Sequence, residues 1–160
     1  MSHVASPVSI ATALTPSGPV GLTINTFNSL SMNPPTASLC LFSDSRFSQA
    51  IRRTDSVGVN VLSSDQVSLA KRFAAGTHSP FADVSWNDLQ GIPVIDGALA
   101  RFSLHIDRRV PVGDHVLLVG TVLDAAELET GALPLVYLRR RYGAVAPSHD
   151  SSSADGRFDA

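Results

Sequence analysis

Apolar and polar residues alternate along several stretches of the chain with the two-residue period of a half-buried β-strand. Other stretches are apolar throughout but only of strand length, which indicates strands buried on both faces. The two patterns together predict a mainly β protein of six or seven strands. The predicted strands span residues 8–14, 20–27, 37–42, 56–62, 98–110, 115–127 and 133–138.

Two segments between predicted strands have the period of short helices. The first spans residues 46–53, where Asp44 or Ser45 is the expected N-cap, and the second spans 66–75, where Ser64 or Asp65 is expected. The segment 76–93 has no clear period and is predicted to be irregular. We expect one folded domain, residues 1–146, followed by a disordered polar tail, residues 147–160.

Tight turns join the predicted strands in pairs, which favours antiparallel pairing. The turn at Pro16–Pro19 predicts a hairpin between the first two strands, and Gly113 lies at the turn between the two longest. A long pair of this kind suits a closed or nearly closed barrel, because closure removes exposed strand edges. The absence of an alternating βαβ pattern argues against a doubly wound parallel sheet.

Composition narrows the possible partners. The chain of 160 residues is 44% hydrophobic and 16% charged, with a net charge of −2, so we expect no nucleic-acid partner. The basic runs Arg52–Arg53 and Arg139–Arg141 are expected to be solvated, with small-anion binding as the alternative. Neither a signal peptide nor a membrane span is apparent, and the single cysteine, Cys40, fits a reducing compartment. We therefore expect a cytoplasmic protein with no membrane association.

Familiar catalytic motifs are missing from the sequence. It contains neither glycine-rich phosphate loop and no G-x-S-x-G elbow. The five histidines lack metal-ligand spacing, and His105 with Asp107 on one strand face is more typical of a surface pair. We expect no metal site.

Three polar clusters remain as candidates for binding chemistry. The first is the stretch GLTINTFNSLSMNPP, residues 21–35, which begins as a strand and fills with Asn, Ser and Thr. The second, Ser43–Arg46, precedes a predicted helix and suits a phosphate, although the residues alone favour Ser45 as a plain N-cap. The third is Gly113–His115, where a lone histidine is usually a turn residue. Together the clusters predict a polar pocket for a flat, phosphate-bearing ligand.

The first cluster resembles the G-x-T-x-N-[ST]-F-x-S-[VL]-S-x-[DN]-P-P segment of flavin reductase-like, split-barrel flavin-binding proteins. Three later segments are similar to that family in the same order: residues 37–74, VPVGDHVLLVGTVLDAA at 110–126 and LPLVYLRRRYGAV at 133–145. The resemblance implies a mainly β fold, an antiparallel split β-barrel of Greek-key type with two or three short helices. It also implies a homodimer that passes hydride from NADH or NADPH to FMN or FAD.

The resemblance also implies roles for individual residues. The first cluster would line the isoalloxazine ring and ribityl chain, and the second would face the flavin phosphate. Residues 60–62, Lys71 and Phe73 would border the same pocket. His115, as a candidate catalytic group, and residues 139–142 would lie near the nicotinamide. No residue need act as acid or base, because the hydride passes between the cofactors. The implied cofactor-binding residues are Thr23, Asn25, Thr26, Phe27, Asn28, Ser29, Ser43, Ser45, Arg46, Asn60, Val61, Leu62, Lys71, Phe73, His115, Arg139 and Tyr142.

The function implied is an NAD(P)H:flavin oxidoreductase that supplies reduced flavin to a partner flavin-dependent monooxygenase. The alternative is a flavoprotein that keeps its flavin tightly bound and serves as a redox carrier or binding module. A third possibility is an inactive structural relative. The sequence does not distinguish FMN from FAD or NADH from NADPH.

Overall fold

The computed structural model of the protein describes residues 3–76, 80–128 and 131–145. Within them the chain is mainly β, as predicted, and has two short helices. The strands are β1 (Ser6–Pro7), β2 (Ser9–Thr15), β3 (Gly18–Ile24), β4 (Asn28–Met32), β5 (Pro35–Phe42), β6 (Ser56–Val61), β7 (Trp86–Leu89), β8 (Ile92–Ile95), β9 (Ala100–Val112), β10 (His115–Glu127), β11 (Leu135–Leu138) and β12 (Arg141–Ala144), and the helices are α1 (Arg46–Ala50) and α2 (Val67–Ala74).

Seven strands form the central sheet, in the order β3-β2-β6-β9-β10-β5-β4. Every neighbouring pair is antiparallel, which confirms the expectation from the turns. A three-stranded sheet, β1-β11-β12, and the β7-β8 hairpin complete the architecture. The described pairing leaves β3 and β4 at the two ends of the central sheet, so hydrogen bonds between these two strands do not close a barrel.

Two hydrophobic cores hold the sheets and helices together. The first lies on the central sheet, where Leu39, Val57 and Leu104 are fully buried. The second lies under α2 and joins it to the small sheet, and Phe73 of α2 and Leu135 of β11 are buried in it. Burying side chains of this size contributes about 1.5–3 kcal/mol each, so both layers are firmly attached.

The β7-β8 hairpin packs closely on the central sheet at a glycine. A β-carbon on Gly58 of β6 would lie 2.4 Å from Ile92 Cγ2 and 2.5 Å from Thr12 Oγ1. Only glycine leaves room for this approach, because such distances are shorter than any van der Waals contact. Strand β7 and the start of β8 fall within the segment 76–93, so the prediction that this segment is irregular is wrong for its last part.

The remaining differences from the predicted elements are at their ends and among the shortest strands. Helix α1 ends at Ala50, and the chain turns toward β6 over the next residues instead of continuing to Arg53. Helix α2 has Gln66 as its N-cap with no side-chain cap bond, so Ser64 and Asp65 are not the cap. The short strands β1, β4 and β12 were not predicted, because two to five mostly exposed residues carry no clear period.

Neither helix of the described residues is long and apolar enough to cross a membrane. The predicted disordered tail, residues 147–160, lies outside the described residues.

Candidate functional site

Two adjoining cavities form a groove between the end of β3 and the small sheet. Their volumes are about 200 Å³ and about 340 Å³, and Asn25 and Tyr137 line both. We call them together the tyrosine groove. The smaller cavity is lined by Val8, Thr23, Ile24, Asn25, Ala74, Tyr137 and Tyr142, and the larger by Val4, Ser6, Asn25, Thr26, Tyr137, Arg139 and Arg140.

One wall of the groove is the segment that follows β3, and threonine hydroxyls fix it in place. Thr26 Oγ1 donates to the carbonyl of Cys40 at 2.7 Å and accepts from the Cys40 N–H at 3.1 Å, which substitutes for strand pairing. Thr23 Oγ1 donates to the Ala70 carbonyl at 2.7 Å and ties β3 to α2. Much of the hydroxyl content of this stretch therefore builds the wall itself.

Amide and hydroxyl groups at the surface of the same segment are available for a ligand. Asn25, Asn28 and Ser29 are exposed. Asn28 Nδ2 donates to the Thr26 carbonyl at 3.0 Å, and within the described residues its side-chain oxygen accepts no hydrogen bond. Within the described residues, the side chains of Asn25 and Ser29 make no hydrogen bond. Asn25 lines both cavities of the groove, whereas Asn28 and Ser29 are not among the lining residues. An unsatisfied amide at a cavity, such as that of Asn25, is a usual means of orienting a ligand.

The opposite wall is a pair of tyrosines. Tyr137 of β11 lies directly across the strand pair from Tyr142 of β12, with ring centroids 5.1 Å apart and ring planes inclined at 58°. Burial, and then the nearby Tyr137, raise the pKa of Tyr142 above its ordinary value. The Tyr142 hydroxyl therefore stays protonated near neutral pH and can donate a hydrogen bond.

The second and third polar clusters meet at the ends of β5 and β10, and we call residues 43–46 and 113–115 the serine–histidine junction. His115 pairs with Phe42, and the Ser43 N–H donates to the Asp114 carbonyl at 3.0 Å. The rings of Phe42 and His115 meet edge to face at 5.8 Å. His115 Nδ1 lies 2.6 Å from Asp114 Oδ1, and the hydrogen bond, then the charge of a protonated His115, lower the pKa of Asp114.

Much of the hydrogen-bonding capacity at the junction is used internally. Ser45 is the N-cap of α1: its Oγ accepts from the Ser48 N–H at 3.1 Å and donates to Ser48 Oγ at 2.8 Å. Arg46 Nη1 donates to the Gly76 carbonyl at 3.0 Å. The plain interpretation of Ser45 as an N-cap is thus confirmed, and its contact with a flavin phosphate stays a prediction.

Five further predicted residues lie outside the lining of the tyrosine groove, and their roles toward a flavin stay predictions. Asn60 is buried and bonded on every side, as described in the Discussion. Leu62 and Phe73 belong to the second core, while Val61 is half-buried at the end of β6. Lys71 is exposed on α2.

Phe27, another predicted residue, packs against Phe102 of the central sheet at a centroid distance of 4.9 Å. Tyr137 was missed, although a two-residue hairpin turn in LVYLRRRYGA would have placed it opposite Tyr142. Arg140 falls within residues 139–142, which the family resemblance implies to lie near the nicotinamide.

The fold and groove define a class: a small antiparallel β protein with an open cleft that has an aromatic wall and an amide-rich wall. The chain belongs to the family described as "Flavin reductase like domain", whose sequence model matches residues 1–146. This match confirms the resemblance seen in the motifs.

Characterised relatives agree with the family assignment. The chain is 41% identical to FMN reductase (NADH) SmoA of Agrobacterium fabrum over 124 residues, which cover 74% of this chain and 68% of the relative. It is 33% identical to the 4-hydroxyphenylacetate 3-monooxygenase reductase component of Pseudomonas aeruginosa, covering 89% of this chain and 86% of the relative. A solved structure, the NADH:FAD oxidoreductase SgcE6 of Streptomyces globisporus in complex with NAD and FAD fragments, superposes with a TM-score of 0.86 at 28% identity, covering 93% and 90% of the two chains.

Proposed function

We infer that the protein is a flavin reductase that transfers hydride from NADH to FMN or FAD. The observation that carries this inference is the family match over residues 1–146, together with relatives whose names specify NADH and either flavin. When both cofactors are bound, the dihydronicotinamide supplies the hydride and the flavin accepts it. The protein contributes binding, orientation and exclusion of water.

The tyrosine groove fits a flat heteroaromatic ligand. The Tyr137–Tyr142 pair presents ring surface to one side of the cleft, and aromatic pairs of this kind favour stacked or tilted contacts with a further ring. The Asn25 amide and the Thr26 backbone lie across the cleft and can bond the polar edge of such a ring. We propose that this wall, with Asn28 and Ser29, holds the isoalloxazine and ribityl groups.

We propose that the serine–histidine junction serves the polar ends of the cofactors. Ser43, Ser45 and Arg46 would face the flavin phosphate, and His115 would approach the nicotinamide. The exposed Arg46 guanidinium has spare N–H donors beyond its bond to Gly76, which supports this placement. His115 needs no catalytic protonation in this scheme, because hydride transfer requires proximity more than acid or base catalysis.

We also propose that the central sheet curves into a split barrel. The edge strands β3 and β4 are joined only by residues 25–27, which span at most about 14 Å. In a flat seven-stranded sheet the two edges would be about 29 Å apart. The sheet must therefore curl strongly, and the contact of Phe27 with Phe102 across its interior supports the same shape. Residues 1–146 would then be the flavin-binding domain.

A homodimer and a monooxygenase partner are part of the proposal. Phe42 and Val112 both flank His115 in the strand register and are exposed, which provides apolar surface for a second copy beside the junction. The name of the Pseudomonas relative, a reductase component of a monooxygenase, supports a flavin-consuming oxygenase as partner. The free Cys40 is consistent with the proposed cytoplasmic location.

A matrix of initial rates tests the proposed function. Purified protein is mixed with NADH or NADPH and with FMN, FAD or riboflavin, and oxidation of the nicotinamide is followed at each flavin concentration. We expect NADH to be oxidised only when flavin is present, with a rate that saturates in flavin. A protein that copurifies with flavin and shows no turnover would instead be a redox carrier. A protein that binds neither FMN nor FAD would be a structural relative.

A further inference from the structure

The turn between β11 and β12 is built from residues that strain it. Arg139 and Arg140 are its two central residues, with φ angles of 50° and 62°. Such a two-residue turn requires positive φ at both positions, where Asn-Gly is strongly preferred and other side chains are disfavoured. The chain thus has two arginines where the fold alone favours an asparagine and a glycine.

Both arginines line the larger cavity of the tyrosine groove. None of the seven residues around that cavity is acidic. Within residues 3–76, 80–128 and 131–145, neither guanidinium has a hydrogen-bond or ion-pair partner. Among the other arginines of the described residues, half-buried Arg101 pairs with Asp124, and Arg109 bonds carbonyls near Asp55. Exposed arginines of the same residues outside the groove lining also lack a partner, so Arg139 and Arg140 differ from them by their position at a cavity. The groove therefore has an uncompensated positive rim on one side.

We propose that the Arg139–Arg140 turn is a phosphate clamp for the cofactors of the reductase. Guanidinium groups bind phosphate oxygens through paired, charge-assisted N–H donors. Backbone strain retained at a cavity rim is typical of positions that serve binding. The ligand class is a phosphate ester or diphosphate attached to a flat heterocycle. It comes either from the flavin tail or from the dinucleotide linkage of NADH.

The identity of the ligand as a flavin or NADH rests on the proposed function. The binding of phosphate by the two arginines does not. The test variant is Arg139→Asn/Arg140→Gly, which installs the residues that the turn prefers. Because strain is relieved, we expect its Tm to rise by about 2–4 °C. Because both guanidinium groups are lost, we expect its dissociation constant for the phosphate-bearing ligand to rise about tenfold or more.

Three titrations identify the phosphate source. FMN and riboflavin are each titrated by flavin fluorescence, and ADP-ribose is titrated by calorimetry. Weaker FMN binding with unchanged riboflavin binding assigns the clamp to the flavin phosphate, and this result would replace the proposed placement of that phosphate at Ser43, Ser45 and Arg46. Weaker ADP-ribose binding with unchanged FMN binding assigns it to the diphosphate of the dinucleotide. Either result supports the clamp, since a purely structural turn would change none of the three affinities.

The matched control is Arg53→Ala/Arg108→Ala, which removes two exposed charges outside the lining of the groove. If the control weakens binding as much as the turn variant, the effect is general electrostatics and the clamp is refuted. Unchanged affinities in the turn variant also refute it.

A thermal-unfolding experiment with pyrophosphate separates the clamp from the proposed flavin reductase activity. If pyrophosphate raises the Tm of the wild type but not of the turn variant, the clamp is supported even if no flavin is reduced. Absence of any such protection, with normal flavin reduction, refutes only the clamp.

Discussion

Asn60 and Asn28 are both asparagines in strands, yet the fold gives them opposite surroundings. Asn60 is 1% exposed, and its Nδ2 donates toward the Ile10 carbonyl at 3.3 Å and Thr12 Oγ1 at 3.2 Å. Its Oδ1 accepts from the Ile95 N–H at 2.9 Å, which ties the β7-β8 hairpin to the central sheet. Asn28 is exposed at the sheet edge and makes one local bond. A polar residue in a strand is thus a binding candidate only where its own fold leaves it unsatisfied.

The largest effect on stability is expected when Asn60 is replaced, and this substitution tests the contrast with Asn28 directly. Asn60→Ala leaves the Ile95 N–H without its acceptor inside the protein, so we expect the free energy of unfolding to fall by about 2–4 kcal/mol. Urea denaturation measures the loss. The matched control is Asn28→Ala, for which we expect no change in stability beyond about 0.5 kcal/mol but weaker flavin binding. Equal stability losses in the two variants would contradict the distinction between them.

An intermediate effect is expected at Ser45, because this residue caps α1 and is also a candidate ligand contact. Ser45→Ala removes the N-cap of α1, and we expect a loss of about 1 kcal/mol in the free energy of unfolding. Ser45→Asn retains a capping oxygen and should recover most of that stability. Flavin titration of both variants then separates the roles. Weaker binding in the stable Asn variant would indicate a ligand contact, and unchanged binding in both variants would leave Ser45 as a cap alone.

The long, in-phase strands could be predicted from sequence, and the bounds of β10 agree with the prediction at both ends. There the apolar side chains repeat every two residues and pack into one core, so local pattern and burial agree. The β7-β8 hairpin was missed although its two-residue turn, Gln90–Gly91, has positive φ at both positions and sets the register locally. Its packing on the central sheet could not be predicted, because it depends on Gly58 and Asn60, which lie far away in sequence.

The candidate site shows the same contrast between features that depend on contiguous residues and features that depend on residues far apart in sequence. The polar stretch after β3 was recognisable because its residues are contiguous. The contact of Ser43 with Asp114 depends on the pairing of β5 with β10, whose partners are far apart in sequence. The sequence therefore predicted a shared polar pocket but not this contact. Tyr137 was missed although its position followed from the hairpin register. Asn60 was assigned to the pocket by the family resemblance, and the sequence does not reveal that its amide is already satisfied inside the protein.

The smallest expected effect concerns Asp114 and His115. The pKa of Asp114 is lowered in the folded protein, first by its hydrogen bond to His115 and then by the charge of that ring. A depressed carboxyl pKa adds stability above the unfolded-state pKa, and this contribution disappears as the pH falls through the folded-state pKa. We therefore expect Asp114→Asn to be slightly less stable than the wild type at pH 6, and the difference to vanish near pH 2.

His115→Ala completes the test, because it removes the partner that lowers the Asp114 pKa. Carboxyl titration by NMR should show the Asp114 pKa moving up toward its ordinary value. If His115 also approaches the nicotinamide, the Michaelis constant for NADH should rise while flavin affinity stays the same. An Asp114 pKa that moves with no change in the Michaelis constant would return His115 to a structural role. The serine–histidine junction would then resemble the Asn60 network, with its polar groups serving the fold, and the tyrosine groove would remain as the open site.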